Sequence, residues 1–142
     1  MTQPLPASAR ALIESAPLAH LVTINPDGSP QVTCVWIGLE GDCVYFASLM
    51  ELQKIRNLQR DERVVISIES PNWAAWGVQE HLVLYGTAEV TAGGGAEALQ
   101  QLAHTYVGPD AVFPNMVDPP PGFIVRISVD RIRGVGPWME GN

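Results

Sequence analysis

The chain has 142 residues, 46% apolar and 16% charged, with a net charge of −7. That length suits one domain with a real core, and no apolar run approaches the roughly 20 residues of a membrane span. The acidic balance argues against nucleic acid and anionic membranes as partners, because affinity for a phosphate backbone comes from many Lys/Arg contacts.

Residues 7–16 read as a short helix with Ala11, Leu12 and Ala16 turned inward. The N-terminal residues do not form a charged start followed by a long apolar segment, so no secretory signal is expected and the expected location is cytoplasmic. Residues 20–24 are β-rich. Residues 25–30, NPDGSP, are dense turn chemistry. Residues 31–39 read as one long strand, 40–42 as a tight connection, and 43–48 as a strand pairing back onto it. A helix follows from about 49 to 60, then a strand over 64–68. Residues 70–80 interrupt the pattern around Trp73 and Trp76. Residues 81–91 form a long strand in which Gly86 predicts a bulge or a close approach. A glycine hinge at 92–95 leads into a helix over 96–106, with Leu99, Leu102 and Ala103 inward. Residues 107–122 hold five of the twelve prolines and read as an irregular loop. The last strand covers 123–133, and 134–142 are a tail.

Six β segments with three short helices, most strands adjacent in sequence, predict a mainly β (α+β) domain: an antiparallel barrel or sandwich. The strands are apolar on both faces. Val32, Cys34 and Trp36 point one way, Val35, Ile37 and Leu39 the other. One barrel interior covers one face only, so a homodimer burying the other is expected.

The stretch over 43–63 carries the strongest chemical signal. Four of the eight basic residues lie between Lys54 and Arg63, and Lys54 is the only lysine. Ser48-Leu49-Met50-Glu51 fits a capping box. Free N–H groups at a helix start, with a lysine nearby, suit an anion such as a phosphate. At 100° per residue Leu52, Ile55 and Leu58 share the core face. Lys54 lies on one flank beside Asn57, and Arg56 and Arg60 lie on the other. Lys54 with Ser48 and Asn57 is therefore the better anion cluster. The alternative is a solvated helix whose arginines pair with Glu51, Asp61 or Glu62.

Trp73, Trp76 and Trp138 sit in Gly- or Pro-flanked segments. They could line a flat aromatic ligand, seal a dimer interface or pack in a core. His20, His81 and His104 lack metal-type spacing, so no metal site is expected. Cys34 and Cys43 read as small half-buried residues at different heights on neighbouring strands, unable to bridge. No Ser has a nucleophile-elbow context, and Gly93-Gly94-Gly95 lacks the Lys-Ser/Thr of a phosphate-cradling loop. Any catalysis would depend on a cofactor. Tyr85, His81 and Thr33 are possible proton donors, none favoured over solvent.

The order HLVTINPDGSPQVTCVWI, VYFAS, KIRNLQRDERVVISI, LYGTAEVT and IRGVGPW resembles the pyridoxamine 5′-phosphate oxidase-like split β-barrel proteins. It looks closest to the branch that uses the deazaflavin coenzyme F420. The resemblance spans about residues 11–138. It implies a homodimer with cofactor sites at the subunit interface and hydride transfer between the cofactor ring and a small organic substrate. It places Gln31, Thr33, Val35 and Trp36 along the ring, Ala47 and Ser48 near the ribityl chain, and Lys54 with Asn57 at the phosphate. Trp73, Trp76 and Trp138 are the candidates for covering the ring from the partner. Many deazaflavin-using relatives carry basic residues just ahead of the matched lysine, where this chain has Met50 and Leu52. A long anionic tail would lose two partners, which leaves FMN as the alternative cofactor, with a non-catalytic flavin carrier as a further reading. The tail GVGPWMEGN lacks the Arg/His residues that hold substrate phosphate in true pyridoxamine phosphate oxidases.

Overall fold

Alternating apolar residues lay down the sheet. Burial alternates along Ala19–Ile24 (β1), Arg63–Trp73 (β5) and Gln79–Ala92 (β6), as expected for strands with one face on a core. The computed structural model describes residues 2–140. The remaining strands are Pro30–Val35 (β2), Gly38–Glu40 (β3), Cys43–Ser48 (β4) and Phe123–Val135 (β7). The helices are Ala7–Glu14 (α1), Gln53–Arg60 (α2) and Gly95–Tyr106 (α3), and a short 3-10 turn covers Pro137–Met139.

All seven strands join one antiparallel sheet in the order β2-β1-β5-β6-β7-β4-β3. Its two edge strands, β2 and β3, are consecutive in the chain, separated only by Trp36 and Ile37. The step from Val35 to Gly38 spans at most roughly 11 Å, so the sheet must curl until its edges converge. They do not pair, and the barrel stays open. Leu21, Ile37, Phe46, Ile66, Leu84 and Ile127 fill the interior and are 0–1% exposed.

The predicted strand over 31–39 is thus two strands on opposite edges. A continuous apolar run cannot show where the chain leaves one edge for the other. Tyr106 fixes the crossing: its hydroxyl accepts the Ile37 N–H at 3.0 Å and donates to the Pro17 carbonyl at 2.7 Å. Cys34 and Cys43 consequently lie on β2 and β4, far apart in strand order, and Cys34 is exposed. In α1 the buried residues are Ala9, Leu12 and Ile13, while Ala11 is exposed. The strand expected to end near residue 68 continues as β5 to Trp73, with a register shift after Glu69.

Gly86 fulfils its expectation. The β6–β7 register shifts between Tyr85 and Gly86, and a Cβ there would fall on the Ser128 carbonyl. No helix among the described residues is long and apolar enough to cross a membrane.

Candidate functional site

The start of α2 differs from the capping-box expectation. The Ser48 hydroxyl donates to the Met50 carbonyl at 2.7 Å and makes no cap bond to the helix. The helix begins at Gln53, with Leu52 at the cap and no side-chain cap bond. Leu52 is 49% exposed and leaves the core face to Ile55 and Leu58.

The helix then separates its polar side chains sharply. Asn57 is fully buried. Its Nδ2 donates to Thr23 Oγ1 and Asn25 Oδ1, both at 3.0 Å, and to Gln31 Oε1 at 3.4 Å. Its Oδ1 accepts from Gln53 Nε2 at 2.8 Å and Arg60 Nη1 at 3.4 Å. Thr23 donates in turn to Gln31 Oε1 at 3.2 Å. This network ties α2 to β1 and β2.

Lys54, one turn earlier, has no hydrogen bond or ion pair among the described residues. Every other Lys or Arg is engaged. Arg56 donates to the Glu51 carbonyl and Gln53, Arg60 to the Ile24 carbonyl, and Arg63 pairs with Asp61. Arg10 pairs with Asp42 and Arg126 with Glu40, Arg131 lies over the Tyr85 ring, and Arg133 donates to the Ile132 carbonyl. The Arg63 guanidinium, by hydrogen bonding, holds the Asp61 carboxyl down at about 2. Burial pushes the Lys54 ammonium below its ordinary pKa, with no compensating anion among the described residues.

Lys54 opens into a cavity of about 220 Å³ lined by Leu18, Cys34, Val35, Trp36, Ala47, Leu99 and Phe113. β2 supplies Cys34 and Val35, the crossing supplies Trp36, and β4 supplies Ala47. Trp36 stacks on Tyr106 with centroids 5.5 Å apart and planes 20° apart, and meets Phe113 edge-on at 5.5 Å and 67°. The outer edge of β2 has no strand neighbour, which leaves main-chain groups along it available to a ligand.

Of the eleven candidates from sequence, Val35, Trp36, Ala47 and Lys54 share this cavity. Gln31 and Asn57 belong to the buried network beside it. Ser48 is buried next to Ala47 at the end of β4, and the Thr33 hydroxyl is buried without a hydrogen-bond partner. Trp138 is 3% exposed and packs in the core cluster. Trp73 ends β5 and Trp76 lies on the tight turn into β6; they are 65% and 70% exposed, and neither lines the cavity. Leu18, Cys34, Leu99 and Phe113 line the cavity without having been expected there, and Tyr106 backs it by stacking on Trp36. Only the aromatic character of Phe113 within a proline-rich loop could have pointed to it.

Sequence comparison decides the family. The profile described as Pyridoxamine 5′-phosphate oxidase matches residues 5–136. The chain belongs to that family. Its fold is shared with an F420 reductase at 25% identity and TM-score 0.76, covering 91% of this chain and 98% of the other. It also resembles a conserved hypothetical protein from Mycobacterium tuberculosis at 24% identity and TM-score 0.70, covering 94% and 85%. HupZ from Group A Streptococcus is similar in fold at 19% identity and TM-score 0.64, covering 92% and 94%. No curated protein sequence matches the chain.

Proposed function

We propose that the protein is an oxidoreductase that binds a deazaflavin, coenzyme F420, at the Lys54 cavity of a homodimer. One observation carries this reading: among the described residues Lys54 is the one basic side chain with no hydrogen-bond or ion-pair partner, and it faces an apolar, aromatic-walled cavity. A half-desolvated ammonium held without a counter-ion suits an anionic group on an otherwise flat, apolar ligand. The likeness to an F420 reductase supports the same choice.

The bound cofactor would supply hydride transfer. The chain's own residues bind, orient and exclude water. Lys54 holds the phosphate. The open edge of β2 offers main-chain groups to the ring, and the Thr33 hydroxyl adds a donor that lacks a protein partner. Trp36 and Ala47 fix the ring and chain by packing. Trp73, Trp76 and the 60%-exposed Val32 form apolar surface for a second subunit, with the tryptophans covering the partner's site. No acid–base group is assigned, and a proton can come from solvent.

FMN is the second reading. Met50 and Leu52 are exposed apolar residues just ahead of α2, so among the described residues Lys54 is the one cation left free for a cofactor tail. Dialysis against FMN and F420 in turn, with each affinity measured, separates the two. Reoxidation of the bound reduced cofactor by a panel of organic acceptors then separates an enzyme from a carrier. F420 binding with turnover is expected. FMN binding alone would transfer the reading to FMN, and binding without turnover would make the protein a carrier.

A further inference from the structure

Phe113 reaches the Lys54 cavity from a segment without secondary structure, and a single side-chain amide holds it there. Gln100 lies on α3. Its Oε1 accepts the Phe113 N–H at 3.1 Å, and its Nε2 donates to the Ala111 carbonyl at 2.7 Å. The second amide hydrogen serves His104 Nε2, 2.9 Å away and one helical turn on. An amide nitrogen only donates, so the imidazole nitrogen accepts. Gln100 thus pairs with the backbone at 111 and 113 much as a neighbouring strand would.

Little else fixes this part of the loop. Among the described residues no other side chain hydrogen-bonds to residues 109–120. Val112, Met116 and Val117 are 67%, 52% and 90% exposed. The Phe113 ring nevertheless stands edge-on to Trp36 and lines the cavity.

We infer that Gln100 is a positioning residue for the Lys54 cavity: its amide fastens the 109–118 loop so that Phe113 forms a fixed apolar wall over a ligand whose anionic end meets Lys54. This rests on the cofactor reading above and deepens it. A loop fastened before the ligand arrives spares the ordering cost at binding, and an apolar wall keeps water from the ammonium–phosphate contact. Wall and cation act separately, so the wall contributes affinity without contributing salt dependence.

The test compares the parent protein with Gln100→Leu, Phe113→Ala and the double variant, titrated with FMN and with F420. Hydrogen exchange at the Phe113 amide is followed in parallel. Gln100→Leu is expected to weaken the bound cofactor about five- to tenfold, the scale of one or two lost hydrogen bonds. Its salt dependence stays that of the parent, because Lys54 is intact. The double variant loses no more than Phe113→Ala alone, because Gln100 acts through the ring. The Phe113 amide exchanges faster in Gln100→Leu. Unchanged affinity in Gln100→Leu, or additive losses in the double variant, would overturn the inference. If the parent binds neither cofactor, the cofactor reading fails on its own. The exchange data still decide the loop: an amide protected in the parent and released in Gln100→Leu supports the latch, and any other pattern refutes it.

Discussion

Two side chains of α2, one turn apart, meet opposite fates. Asn57 is fully buried and has partners for both ends of its amide. Lys54 is half-buried, charged and has none. A buried polar group that is fully satisfied holds a fold together. One left unsatisfied next to a cavity is destabilising in isolation, and a ligand can remove that cost. The difference gives Asn57 its partners within the frame and leaves Lys54 open to the cavity, although both appear equally polar in sequence.

The comparison breaks most visibly at Asn57. Asn57→Ala removes the shared partner of Thr23, Asn25, Gln31 and Gln53 and leaves a void in its place. We expect a loss of about 2–4 kcal/mol of stability, the range for a disrupted buried network. Chemical denaturation measures it; a loss under about 0.5 kcal/mol would show that the network is replaceable. Lys54→Ala should do the reverse. It weakens the bound cofactor by about 1–3 kcal/mol, the scale of a charge-assisted hydrogen bond, and leaves the melting temperature of the cofactor-free protein unchanged or raised.

pH sharpens the contrast further. Lys54 has a folded pKa below its unfolded 10.5. Between the two values the unfolded chain binds more protons, so this group makes the cofactor-free protein more stable as pH rises. Over the same window the ammonium is lost and cofactor affinity falls. Opposite slopes of stability and affinity, both flattened in Lys54→Met, are the expected signature; parallel slopes would assign the titration to another group. The smallest effect concerns the second subunit. Trp73→Ser with Trp76→Ser should weaken self-association in analytical ultracentrifugation with little change in monomer melting, because both rings are exposed in the single chain. Unchanged association would remove these residues from the interface.

Much of the frame was legible because its signals are local. Alternation marked the strands and the NPDGSP turn, where Gly28 does adopt a φ of +86°. Gly86 marked the bulge, and helical phase separated Lys54 from Arg56. What escaped notice depends on tertiary placement. Ser48 and Glu51 matched a cap motif, but the helix starts at Gln53, five residues beyond Ser48, and takes no side-chain cap bond. The inward turn of Asn57 is set by Thr23 and Gln31 on other strands. The run from Val32 to Leu39 is apolar on both faces, so no period reveals the crossing at Trp36-Ile37. Phe113 and Gln100 meet only because the 107–122 loop folds back on α3, and loop composition does not encode where a loop lands.

The central claim is that Lys54 is held free in the protein in order to meet a cofactor phosphate. Calorimetric titration of FMN and F420 into the parent protein and Lys54→Ala tests it most directly. The account predicts that the parent binds at least one cofactor, and that the variant binds it about tenfold to a hundredfold more weakly with an unchanged or raised melting temperature before ligand is added. Equal affinities in the two proteins would contradict it.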